Sequence, residues 1–148
     1  MLFSSLLFAV GLVAVVIGFR SSDTDAGQKN LPKLVEQIDP VAGAVRVPSQ
    51  TRVFVDLAAG YTGVLIVDGK ELETVDIGSV ATVPRGQQLS LPPKVIYEPG
   101  NATLSFVPTK GAVIEDFAEG RHDVTVVYWE LTEGRSTSRQ YSWTFNVF

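Results

Sequence analysis

His122 is the residue best suited to acid–base or metal chemistry in this chain, because imidazole titrates near neutral pH and binds transition metals. It is the single histidine among 148 residues. A catalytic base normally lies beside a nucleophile and an orienting group, whereas the neighbours of His122 are Arg121 and Asp123. We therefore expect a structural or exposed histidine at the start of a strand.

Acidic side chains could hold calcium or hydrolyse glycosidic bonds at suitable separations. Two short clusters are candidates, one with Glu115 and Glu119 and one with Glu71 and Glu73. We interpret both as solvated loop or strand faces. The stretch 23–34 opens like a calcium loop with Asp23 and Asp25, but it lacks the remaining ligands, and we read it as linker.

Sequence motifs that would signal an enzyme are missing. The chain has no cysteine, which excludes disulfides and thiolate metal sites. It also lacks the nucleophile-elbow, zinc-protease and nucleotide-loop motifs. We expect no catalytic residue, no metal and no cofactor. The formal net charge of −4 disfavours nucleic acid as a partner, and no small-molecule substrate is evident.

Tyr61 is the first candidate for surface recognition, because it stands between glycines in a turn-like stretch and tyrosine is enriched at interaction hot spots. The alternative is that its ring packs onto the edge of the domain. The other candidates lie in the 76–93 connection, which contains Arg85, and around the 130–138 loop, with Glu130 and Arg135. Together they form a possible interaction surface.

The elements that must position these residues are short strands. From about residue 34, alternating apolar runs are separated by turn residues at roughly 8–12-residue spacing, which predicts an all-β, two-sheet sandwich of about seven strands. Asp68-Gly69 between two β runs is typical of a two-residue type I′ hairpin. The last two strands, within 122–129 and 138–148, are predicted to pair and to supply the centre of the core.

The first nineteen residues contain no charged side chain, and the run ends at Arg20. Crossing a bilayer core takes about 20 mostly apolar residues, so residues 1–20 are predicted to form a transmembrane signal-anchor helix. A cleaved signal peptide is the alternative. Gly11 and Gly18 are seven residues apart and would share one helix face, a possible helix-packing seam.

This reading divides the chain into an anchor (1–20), a flexible linker (21–33) and a β domain (34–148). The expected location is the cytoplasmic membrane, as a single-pass protein with its C-terminal domain outside the cytoplasm. Basic residues on the domain side, Arg20, Lys29 and Lys33, favour the opposite orientation under the positive-inside rule.

Three segments resemble bacterial Ig-like sandwiches, a group that includes S-layer-type domains and CopC-like copper carriers. Residues 38–48 match the opening P-x-x-G-A-x-x-V-P, residues 118–128 resemble the penultimate strand, and residues 141–147 resemble the last one. Residues 56–69 also resemble single-anchor envelope proteins of high-GC Gram-positive bacteria. The resemblance implies an Ig-like fold and an envelope location. The copper carriers' imidazole-rich site has no counterpart here, since His122 stands alone.

These observations favour a membrane-anchored, extracytoplasmic Ig-like module that binds a protein partner in the membrane or envelope and has no catalytic site. The alternative is an accessory subunit of a larger membrane complex, whose helix packs against partner helices.

Overall fold

A computed structural model describes residues 28–80, 84–88 and 90–148. The predicted anchor, its glycines Gly11 and Gly18, and the acidic pair Asp23 and Asp25 lie outside the described residues. Within the described part of the chain, no helix is long and apolar enough to span a membrane.

The described residues contain ten strands, which form two five-stranded sheets. Sheet 1 has the spatial order β1-β3-β8-β7-β6, with bounds β1 Val35–Asp39, β3 Val53–Leu57, β6 Thr74–Asp76, β7 Val95–Glu98 and β8 Thr103–Phe106. Sheet 2 has the order β2-β10-β9-β4-β5, with bounds β2 Ala44–Val47, β4 Tyr61–Val67, β5 Lys70–Glu71, β9 Gly120–Glu130 and β10 Arg139–Val147. Single 3-10 turns at Ile77–Ser79 and Arg135–Thr137 are the only helical pieces in the described ranges.

The all-β, two-sheet sandwich expected from the sequence is confirmed, and so is the pairing of the last two strands. β9 and β10 form an antiparallel hairpin with Arg139 opposite Tyr128 and Val147 opposite Gly120. The observed strands outnumber the seven or so expected, and β6, with only three residues, carries too little alternation to be counted from a pattern.

The hairpin between β4 and β5 has the predicted geometry. Asp68 and Gly69 have φ angles of 48° and 79°, so both central residues adopt the left-handed conformation that a type I′ turn requires. Beyond the turn, β5 adds two residues to the edge of sheet 2.

The core lies between the sheets and is built from the side chains of each strand that point inward. Alternation places successive side chains on opposite faces, and the inward residues are almost all aliphatic or aromatic. The fully buried large side chains are Phe106, Phe145, Ile38, Leu57, Leu65, Leu104, Val53, Val55, Val67, Val95, Val124 and Val126. This core fixes both sheets, and hence it fixes the outer face that each sheet turns to solvent.

Candidate interaction surface

The outer face of sheet 1 carries two large apolar side chains at positions where an alternating strand would normally be polar. Phe54 of β3 lies opposite Ser105 of β8, and Ser105 lies opposite Ile96 of β7. The buried neighbours Val53 and Val55 point into the core, so Phe54 points outward. A phenylalanine and an isoleucine thus share the middle of an outward face.

Described residues of the connection between β6 and β7 form a groove with this face. We call it the sheet-1 groove. Its apolar lining comes from the connection (Ile77, Leu91, Pro92 and Pro93), from the sheet (Phe54 and Ile96) and from Val107, which directly follows β8. Its volume is about 480 Å³, within the range of roughly 300–1,000 Å³ that is usual for ligand-binding clefts. Leu91 and Val107 remain 46% and 50% exposed.

Charged side chains lie at both ends of the groove. At one end, Arg52 stacks over the ring of Phe54 at 4.7 Å and lies 3.9 Å from the carboxylate of Asp39. Lys94, at the same end, donates to Glu73 at 2.6 Å. Both cations therefore already have an acidic neighbour.

The opposite end is acidic. Asp56 and Glu98 lie on either side of Thr103, each as its register partner. Partial burial, followed by the nearby charge of Glu36, raises the pKa of Asp56 above its ordinary value. Among the ion pairs of the described residues, none involves Asp56, Glu36 or Glu98. Within the described ranges, the negative charge at this end therefore has no cationic partner.

The surface residues expected from the sequence lie elsewhere. Tyr61 opens β4 and is half-buried: its ring packs edge-on to Tyr128 at 6.3 Å, and its carbonyl accepts a hydrogen bond from Tyr97 at 3.0 Å. Glu130 is its register partner, and the cavity they share is only about 30 Å³. The geometry of Tyr61 thus matches the packing alternative.

Arg135 is engaged within the domain. It makes two hydrogen bonds to Glu71, at 2.9 and 2.7 Å, and lies over the ring of Trp129 at 5.6 Å. These bonds, which outweigh the effect of burial, lower the pKa of Glu71. Arg85 is exposed in the β6–β7 connection. Tyr61 and Glu130 lie together at one end of sheet 2, and Arg85 does not line the cavity that they share.

His122 is buried at the start of β9. Its Nδ1 lies 2.7 Å from the Asp68 carboxylate, and its Nε2 lies 2.7 Å from the carbonyl oxygen of Ala118. The ring stacks on Phe145 at 5.5 Å and contacts Phe117 at 5.0 Å. Since both nitrogens face acceptors, the charged imidazolium donates at both. These contacts tie the start of β9 to Asp68, Ala118 and the aromatic core.

Stability is expected to fall as the pH rises through the folded-state pKa of His122. Burial alone would lower that pKa, but the Ala118 carbonyl and the carboxylates of Asp68 and Asp123 raise it above 6.5. A raised folded pKa contributes stability that is fully present below the unfolded value and disappears above the folded one. Urea midpoints of the full-length chain from pH 5.5 to 9 should therefore decline, and His122→Gln should flatten this part of the curve.

A matched control is Asp123→Asn, which leaves both direct hydrogen bonds of the imidazole in place and should keep most of the decline. Arg121 pairs with Asp123 at 3.2 Å, so the charge removed there is already partly neutralised. An undiminished pH slope in His122→Gln would contradict this assignment.

The acidic pairs do not form metal sites in the described ranges, where no group of three potential ligands occurs. Glu115 accepts a hydrogen bond from the backbone of Gly111 at 2.9 Å and so closes its own loop. Glu71 and Glu73 bind different cations, Arg135 and Lys94. Glu71, Glu73 and Glu115 thus each have a local partner of their own.

The groove itself was missed by the sequence interpretation, although a signal was present. Phe54 and Ile96 occupy strand positions that point to solvent and would ordinarily be polar, within Val53-Phe54-Val55 and Val95-Ile96-Tyr97. An apolar residue in the solvent phase of a half-buried strand indicates either a covered face or a binding face. The strand boundaries and the fold of the connection were needed to show that both residues meet in one groove.

Comparison with known proteins adds no assignment: no protein-family model matches the chain, and no curated protein matches it. The fold and the site define an all-β, two-sheet sandwich with an apolar groove on the outer face of one sheet.

Proposed function

We propose that this chain is a membrane-anchored, Ig-like interaction module that binds a segment of a protein partner in the sheet-1 groove and performs no catalysis. The observation that carries the proposal is the outward pair Phe54 and Ile96, flanked by the half-exposed Leu91 and Val107. Contiguous apolar surface of this kind is typical of protein-interaction sites.

The chemistry of the groove favours a polypeptide as the occupant. Its floor offers an aromatic ring and an aliphatic side chain, which suit apolar side chains, with the Ser105 hydroxyl between them. Thr103 and Thr109 add hydroxyls towards the rim, which suit backbone or side-chain polar groups. Charged groups lie only at its ends. Such an apolar centre with a polar rim is the usual anatomy of a protein interface.

The finer fold assignment has support from the topology. β1 belongs to sheet 1 and the next strand, β2, to sheet 2, where β2 runs parallel to the last strand, β10. An opening of the chain that contributes one strand to each of the two sheets suits an Ig-like sandwich. The anchor and the extracytoplasmic location rest on the uncharged run 1–19 and the linker after it.

The subunit alternative uses a different contact. In that case the N-terminal helix packs against partner helices through Gly11 and Gly18, and no partner occupies the sheet-1 groove. Both forms of the proposal place the chain beside another membrane or envelope protein, and they differ in which surface touches it.

Site-specific photo-crosslinking tests the proposed surface. Phe54 is replaced by p-benzoylphenylalanine in the full-length chain, expressed in its own cells, and the matched control carries the same probe at Val64, which is half-buried and points outward from β4 on the opposite sheet. We expect one defined protein adduct from position 54, identified by mass spectrometry and abolished by Ile96→Lys. Adducts of equal yield from both positions, adducts to lipid alone, or none from position 54 would contradict the groove as the binding surface.

A further inference from the structure

The outer face of sheet 1 has an apolar centre, with cationic side chains on one side of it and acidic side chains on the other. Its strands are in register, so outward residues form three rows across β3, β8 and β7. The middle row is Phe54, Ser105 and Ile96, and the next row is Asp56, Thr103 and Glu98. Extending the register by two residues in the other direction gives Arg52, Val107 and Lys94, all of which line the groove.

The three rows are evenly spaced. Strands rise about 3.3 Å per residue, so rows two residues apart are separated by about 7 Å. A partner segment seated on Phe54 and Ile96 therefore has cationic side chains about 7 Å away on one side and carboxylates about 7 Å away on the other. Those distances are within reach of the residues flanking a bound apolar side chain.

The two ends differ in how much charge is already neutralised. Arg52 lies against Asp39 and Phe54, and Lys94 donates to Glu73 at 2.6 Å. At the other end, Glu98 accepts a hydrogen bond only from the neutral amide of Asn101, at 3.1 Å, and Asp56 has no cationic partner among the described residues. The unmet charge of the face is therefore negative and confined to one end.

We infer that the segment recognised by the sheet-1 groove is a basic–apolar one, with a lysine or arginine next to its apolar anchor, and that this cation is read by Asp56 and Glu98. The inference rests on the proposed function and adds the chemistry and direction of the partner. A partner cation here would meet two carboxylates without displacing an internal ion pair, whereas a partner carboxylate at the basic end competes with Asp39 and Glu73.

Attraction of this kind has a recognisable signature. Exposed or half-exposed ion pairs are screened by salt, while contacts of apolar side chains with Phe54 and Ile96 are not. Binding by the groove should thus weaken as salt is raised, and the salt-sensitive part should disappear when the two carboxylates are made neutral.

The test uses the full-length chain carrying p-benzoylphenylalanine at position 54, in isolated membranes of its own cells. The variant Asp56→Asn with Glu98→Gln keeps the shape of the acidic end and removes its charge. We expect on the order of a threefold to tenfold drop in adduct yield at low salt, and a lost dependence on salt. Glu133→Gln, in the β9–β10 loop on the other sheet, is the matched control and should change neither.

The sequence of the crosslinked peptide gives a second, independent readout. We expect a lysine or arginine within about three residues of the crosslinked position, the reach of an adjacent row. A defined adduct whose yield is unchanged by the double variant, or whose peptide carries no nearby cation, would overturn the charge assignment and leave the groove as the binding surface. No adduct above that from position 64 would overturn the groove itself, and the inference with it.

Folding provides the check on the variants. Asp56 has a raised pKa in the folded chain, which means that its ionised form opposes folding at neutral pH. The double variant should therefore have a urea midpoint no lower than that of the natural chain. A lost adduct in a variant of undiminished stability then reports on recognition.

Discussion

Replacing Phe145 with alanine is expected to lower the free energy of unfolding by roughly 3–5 kcal/mol, the largest loss of any single substitution considered for this chain. Phe145 is fully buried on β10. Its ring meets Phe117 edge-on at 5.2 Å and stacks on His122 at 5.5 Å. Truncation removes those contacts and leaves a cavity between the sheets. Urea denaturation of the full-length chain, followed by tryptophan fluorescence, measures the loss.

Phe54→Ala is the matched control, since it deletes the same side chain from the outer face of sheet 1. Phe54 is half-buried and lines an open groove, so its truncation should cost about 1 kcal/mol or less. Comparable losses from the two substitutions would contradict the division into core and surface. The expected contrast also has a functional meaning: Phe54 contributes little to folding and is free to contribute to binding.

Gly63→Ala is expected to destabilise the chain by on the order of 2–3 kcal/mol. Gly63 lies in the buried part of β4, opposite Tyr128. A Cβ built there would lie 2.5 Å from the carbonyl oxygen of Val127 and 3.2 Å from the Cα of Tyr128. Because the oxygen belongs to the backbone, it cannot rotate away, and β4 and β9 would have to separate. The urea midpoint should fall accordingly.

Gly100→Ala is the control for this substitution. Gly100 lies in the exposed turn after β7 and has open space where its Cβ would be. Alanine at such a site changes stability by a few tenths of a kcal/mol, or raises it by restricting the unfolded chain. A Gly63→Ala variant as stable as Gly100→Ala would show that the two strands do not approach as closely as described.

Much of the fold could be predicted because the side chains of a strand alternate between its two faces, which leaves a two-residue period in the sequence. In β9, Val124, Val126 and Tyr128 are all inward and buried, as their alternation indicated. The Asp68-Gly69 turn was equally predictable, since few residue pairs tolerate two successive left-handed conformations. Both signals are local, and a local signal can be read from the chain alone.

The candidate site was less predictable because it depends on contacts between distant segments. Phe54 and Ile96 are separated by three other strands in the sequence and come onto one face only through the register of β3, β8 and β7. The partners of His122 likewise come from a turn 54 residues earlier and from Ala118. For Tyr61 the flanking glycines left two readings open, a protruding ring and a packed one, and only the structure shows that β4 begins at Tyr61 itself.

Side-chain footprinting of the natural chain tests the central claim most directly, since it needs no substitution. Hydroxyl radicals are applied to the full-length protein in its own membranes and to the purified chain in nanodiscs of the same lipid. We expect Phe54 and Ile96 to be protected in the native membranes and modified in the purified protein, while Trp129, on the outer face of sheet 2, reacts equally in both. Equal modification of Phe54 and Ile96 in the two samples would contradict the sheet-1 groove as the surface that holds a partner.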